Sequence, residues 1–159
     1  MSATTPRTRV AKDIMASEPV CIDLGMTVRA VARIFEENEI SGAPVVDSGG
    51  RLVGVVSRTD LVRRYTNGDI DRDPTMLIEL FGGDDPGAEL MSSQLVTIDD
   101  FMTPDPITAR PHTPIADIAH RMVDARVHRI IIVDPENIPV GIITSLDLVK
   151  ALSAPLAAH

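Results

Sequence analysis

Eight residues, Gly54-Val55-Val56-Ser57-Arg58-Thr59-Asp60-Leu61, return as Gly141-Ile142-Ile143-Thr144-Ser145-Leu146-Asp147-Leu148, beginning 87 residues later. Met15/Met102, Pro19/Pro106, Val46/Val133 and Asp47/Asp134 keep that offset without a gap. Two copies in unbroken register mean one structural unit built twice, so each site is expected in two versions. Function is then expected where the copies face each other.

A chain of 159 residues suits one domain made of two related halves. A half of roughly 55 residues buries too little surface to be more than marginal, so the halves are expected to share a core. That core is aliphatic, because aromatic residues make up 3% of the chain and there is no Trp. Base stacking on aromatic platforms is therefore poorly supported. Residues 67–100 hold nine acids against Arg72 alone, while the remainder sums to zero. With no basic stripe to meet a phosphodiester backbone, nucleic acid is not an expected partner. The acidic stretch reads as a solvated connector, with a cation site as the alternative.

Cys21 is the only cysteine, which rules out an internal disulfide. It lies in an apolar strand pattern and reads as a small buried hydrophobe. No run approaches about 18 apolar residues, and the N-terminus lacks a signal-like apolar segment. The expectation is a soluble, cytoplasmic protein with no membrane partner.

Each copy reads as β-α-β-β-α. In the first, Val20-Cys21-Ile22 is a short strand, and Val28, Val31, Ala32 and Phe35 line one face of a helix. Ala43–Asp47 and Leu52–Val56 are strands joined by the turn Ser48-Gly49-Gly50, and a helix follows from Arg58 to Tyr65. In the second copy, Thr113 reads as an N-cap with Pro114 at the first helical position. Ile115, Ile118, Ala119 and Met122 repeat the apolar stripe. Ile130–Val133 and Val140–Ile143 are strands, and Ser145–Leu152 is the closing helix. Met26 stands where the second copy has Thr113, so the first helix is expected to start more weakly. In the connector, Asp73-Pro74 opens a short helix over about 74–81, with Met76, Leu77, Leu80 and Phe81 on its apolar face. That face either packs on its own domain or docks a partner.

Ser57-x-x-Asp60 and Thr144-x-x-Asp147 are capping boxes on local grounds, and capping alone explains either copy. Two features reach further. A helix start offers N–H groups to a phosphate or hydroxyl. The second copy also places His128-Arg129 before its apolar strand, where the first has Ser41-Gly42. Exposed surface residues are the plain alternative for that pair.

These motifs, with Asp13-Ile14-Met15, Pro19-Val20 and Ile40-Ser41-Gly42-Ala43-Pro44-Val45-Val46-Asp47, resemble a tandem pair of CBS (cystathionine β-synthase) domains, or Bateman module. The resemblance covers about residues 10–66 and 97–153, leaving a tail at 1–9, the connector at 67–96 and a tail at 154–159. The second copy resembles the last CBS repeat of the AMP-activated kinase gamma subunit. The resemblance implies an α/β (α+β) fold of two pseudo-symmetric repeats packed sheet to sheet, with two clefts for adenosine-containing ligands. It implies that Asp147 holds the ribose hydroxyls, as a carboxylate's paired acceptors suit. Thr144 with the helix start at Ser145-Leu146 would face phosphate, and His128 and Arg129 would supply charge. Pro19, Val20, Ile40, Ser41 and Gly42 would bracket the adenine. Arg129 would dominate electrostatically, since His has a pKa of about 6.5. The second cleft would use Ser57, Thr59 and Asp60 with Pro106, Ile107 and Val127, and Arg58 would replace the missing cation.

The function so implied is regulatory, energy-sensing binding of AMP, ADP, ATP or S-adenosylmethionine, signalled to a separate protein partner, in a homodimer. The alternative is a constitutive assembly module with empty clefts. An enzyme is disfavoured. His112, His120 and His128 lie on changing elements without metal-ligand spacing, and no nucleophile motif is present. If the protein regulates an enzyme, that enzyme is expected to be another polypeptide.

Overall fold

The computed structural model describes residues 7–66 and 97–153, in two compact units. Along the chain come α1 (Ala11–Ile14), β1 (Ala16–Ser17), β2 (Ile22–Asp23), α2 (Val28–Glu37), β3 (Gly42–Val46), β4 (Leu52–Ser57) and α3 (Arg58–Thr66). After a single 3-10 turn (Ile98–Asp100) follow β5 (Thr103–Pro104), β6 (Thr108–Ala109), α4 (Ile115–Ala125), β7 (Arg129–Val133), β8 (Pro139–Thr144) and α5 (Ser145–Ser153). The acidic connector, its short helix at 74–81 and the Met76–Phe81 face lie outside the described residues.

One unit holds Val20–Asp105 and contains a four-stranded sheet in the order β2-β3-β4-β5. β2 runs parallel to β3, as the intervening α2 crossover requires, and β3 and β4 form the antiparallel hairpin. Asp47 makes the turn by accepting at Oδ1 from the N–H groups of Gly49 and Arg51. β3 is buried throughout, whereas β4 buries Leu52, Gly54 and Val56 alternately. Val31 and Phe35 of α2 close this core with Ile22, Val45, Val56 and Phe101, all essentially inaccessible.

The other unit takes residues up to Pro19 and from Pro106 onward, with strand order β1-β8-β7-β6. Its core joins Ile118 and Met122 of α4 to Ile130, Ile132, Ile143 and Ala11. Backbone detail repeats with the sequence. Left-handed φ angles pair as Glu18 with Asp105, Glu39 with Arg126 and Gly50 with Asn137, and the hairpin irregularity at Val45/Val46 returns at Ile132/Val133.

The folded units and the sequence copies differ by an exchange. The first copy's opening segment, α1 and β1, joins the second copy's sheet, where Ala16 pairs with Ile142 and Ser17 with Gly141. The second copy's opening segment, the 3-10 turn and β5, joins the first copy's sheet at Gly54 and Val55. A glycine admits each arm. A Cβ at Gly54 would come within 2.6 Å of Met102 Sδ, and one at Gly141 would overlap Met15.

Helix starts and the cysteine depart from the sequence reading. Thr27 caps α2 by accepting from the Ala30 N–H at 3.2 Å, so the first copy has the side-chain cap. The Thr113 hydroxyl instead accepts from the Arg110 N–H at 2.9 Å, and α4 begins after Pro114 without a side-chain cap. Cys21 is exposed, because the strand starts one residue later, at Ile22. Partial desolvation of its sulfur, and then the charge of Asp23, push the thiol above its ordinary value of 9.0.

Candidate functional site: two hydroxyl–carboxylate turns

In each unit an antiparallel strand runs straight into a helix, and a carboxylate locks the junction. Thr144 N–H donates to Asp147 Oδ2 at 2.8 Å, the Thr144 hydroxyl donates to the same oxygen at 3.0 Å, and Asp147 N–H donates back to Oγ1 at 3.3 Å. The capping box is reciprocal and sits at the start of α5, where backbone N–H groups have no helical partner. Ser57 and Asp60 repeat it at 2.9, 2.9 and 3.2 Å before α3. Both carboxylates are half-buried. Among the described residues no donor reaches Oδ1 of Asp60 or Asp147, so each carboxylate keeps one oxygen with its acceptor sites open.

The surroundings of the two turns differ. Arg129 lies opposite Thr144 on the β7–β8 ladder, and the His128 carbonyl accepts from the Ser145 N–H at 2.9 Å. The chain pairing therefore sets the His128-Arg129 dipeptide against the first turn of α5. His128 is exposed and Arg129 half-buried. At the other turn Gly42 is opposite Ser57, and the Ser41 carbonyl accepts from the Arg58 N–H at 3.0 Å. Ser41-Gly42 bring no charge there, while Arg58 and Thr59 are exposed on the first turn of α3.

The remaining expected site residues divide by unit. Pro19, Pro106, Ile107 and Val127 belong to the unit that holds Asp147, with Ser145 and Leu146 exposed on its helix start. Val20, Ile40, Ser41 and Gly42 belong to the unit that holds Asp60. Pro19 and Val20, neighbours in sequence, fall on either side of the division.

Sequence reasoning missed Arg9. Its Nη1 donates to the Ala151 carbonyl in the last turn of α5 at 2.7 Å. An arginine ahead of the first copy carries no local motif. The only signal was an unpaired helix C-terminus in need of a cation. Among the described residues no group of three His, Cys, Asp or Glu side chains is placed to hold a metal ion. None of the described helices is long and apolar enough to cross a membrane.

Comparison with known proteins places these units. The chain is 34% identical to uncharacterized protein MJ1426 of Methanocaldococcus jannaschii over 151 residues, covering 89% of each. It spans less of other curated relatives, 24% of the inosine-5'-monophosphate dehydrogenase of Nitrosopumilus maritimus at 28% identity. Its fold matches the CBS domain pair of protein MJ0100, solved with 5-methylthioadenosine and S-adenosyl-L-methionine (TM-score 0.70, 23% identity, 92% of this chain and 97% of that one). CBSX2 in complex with AMP also matches (TM-score 0.67, 24% identity, 90% and 95%). The model of the CBS domain matches residues 11–67 and again 98–154, and the chain is therefore a member of the CBS domain family, carrying two repeats.

Proposed function

We propose that the protein is a regulatory module that binds an adenosine-containing ligand (AMP, ADP, ATP or S-adenosylmethionine) at the Asp147 turn and reports it to a separate protein partner. The observation that carries this reading is the Asp147 carboxylate itself. One oxygen is spent on holding the turn, and the other lacks a donor among the described residues. A ribose presents two adjacent hydroxyl donors, which an acceptor-only carboxylate matches. Thr144, the exposed Ser145 hydroxyl and the Leu146 N–H face phosphate at the positive end of α5. Arg129, one ladder rung away, contributes a charge-assisted contact of roughly 1.5–3 kcal/mol, enough to separate a nucleotide from adenosine.

The Asp60 turn repeats the sugar-binding half without the cation pair, so it binds the same class of ligand more weakly, with Arg58 in place of that pair. The MJ0100 and CBSX2 complexes support an adenosyl ligand. The match to part of a dehydrogenase supports a module that serves an enzyme. Leu146, Val149 and Leu152 expose an apolar stripe along α5, which supports a homodimer.

Calorimetric titration of the full chain with AMP, ADP, ATP and S-adenosylmethionine tests the reading. Micromolar binding of at least one, lost in Asp147→Ala, is the expected result. No binding by any of the four would end it.

A further inference from the structure

We propose that Arg9 is a positioning residue for the Asp147 turn, and that ligand binding there and docking of the N-terminal arm (residues 7–17) stabilise each other. The inference rests on the functional reading above and concerns how that site is regulated.

The arm grips both elements that flank the turn. On the strand side, Ala16 and Ser17 pair with Ile142 and Gly141, two to three residues before Thr144, and Met15 lies over Gly141. Ala11 is fully buried in the core beside Ile143. On the helix side, Arg9 Nη1 donates to the Ala151 carbonyl at 2.7 Å. That carbonyl belongs to the last turn of α5, where acceptors lack helical partners and a cation offsets the negative end of the helix. The Arg9 carbonyl in turn accepts from Ile115 N–H at 3.1 Å, and the Ala11 and Lys12 N–H groups donate to Thr113 and Pro111 at 2.8 and 2.9 Å. The arm thus ties the start of α4 to the end of α5.

The residue 87 positions after Arg9 is Val96, whose side chain has no donor. The second copy that gains His128-Arg129 therefore also gains the arm bearing Arg9. A turn held at both ends loses less freedom when a ligand orders it, and the same coupling must tighten the arm when the ligand arrives.

Hydrogen exchange of the full chain, with and without saturating AMP and separately S-adenosylmethionine, reads the coupling directly. The amides of Ala11, Lys12 and Met15 should exchange about fivefold more slowly with the bound probe. By the same linkage Arg9→Ala should bind that probe about fivefold more weakly, with Arg9→Lys restoring most of the affinity. A purely structural arginine would lower the melting temperature and leave both quantities unmoved. A probe that binds the wild-type chain without slowing the arm amides overturns the inference and leaves the functional reading standing. Failure of both probes to bind the wild-type chain overturns both. Should Arg9→Ala not fold, the wild-type exchange decides alone.

Discussion

Met15 lies so close over Gly141 that no side chain larger than hydrogen fits beneath it. The contact is not relieved by swinging a chain end aside, because a Cβ there would also stand 3.2 Å from Met15 Cβ. Gly141→Ala should therefore cost about 1–3 kcal/mol by overpacking. Combining it with Met15→Ala should recover part of that loss, a coupling that urea unfolding of the four members of the cycle measures.

The two carboxylate turns separate stability from binding. Thr144→Ala and Ser57→Ala each remove the hydroxyl of an equivalent cap, and each should cost about 0.5–2 kcal/mol. Arg129→Ala should weaken nucleotide binding roughly tenfold or more, since a charge-assisted bond is lost. Adenosine, which has no phosphate, should bind both proteins alike in the same titration.

The helix caps give a second comparison. Thr27→Ala deletes a bond to the Ala30 N–H and should destabilise the protein by about 1 kcal/mol. Thr113→Ala should leave α4 intact, because that hydroxyl serves the turn at Arg110. Chemical-shift changes confined to Arg110 and its neighbours would show this.

Cys21 is exposed, yet desolvation and Asp23 hold its thiol neutral. A raised thiol pKa favours the protonated form in the folded state, so alkylation by iodoacetamide should be slow at neutral pH. Its rate should rise at a higher pH than that of a free cysteine. By linkage, the small stabilisation it brings is present below the unfolded value of 9.0 and is lost as pH rises beyond it. Asp23→Asn should move the alkylation profile to lower pH.

Core truncation tests the parallel between the units. Phe35 is fully buried and Met122 nearly so, and they occupy equivalent places on α2 and α4. Phe35→Ala should cost about 3–5 kcal/mol and Met122→Ala about 2–5, read from urea midpoints.

Most of this architecture was legible because it is written in short-range patterns. The stripes Val28-Val31-Phe35 and Ile118-Met122, the run Ile130–Val133 and the two Ser/Thr-x-x-Asp boxes each carry their own period or spacing. Pairing was not legible in the same way. The arms around Met15 and Met102 are alike, and so are their glycine seats, so nothing local says which sheet receives which arm. Likewise, the adjacency of Arg129 and Thr144 depends on hairpin register, although turn and bulge together would have yielded it. Thr27 was overlooked because the fixed offset set Met26 against Thr113. The hydroxyl three residues before Ala30 was the better guide.

Because the arms are traded, neither sequence repeat contains the four strands of a whole sheet. Joining two repeats in one chain makes this exchange of edge strands a unimolecular event at high effective concentration, so both sheets are completed without a second molecule.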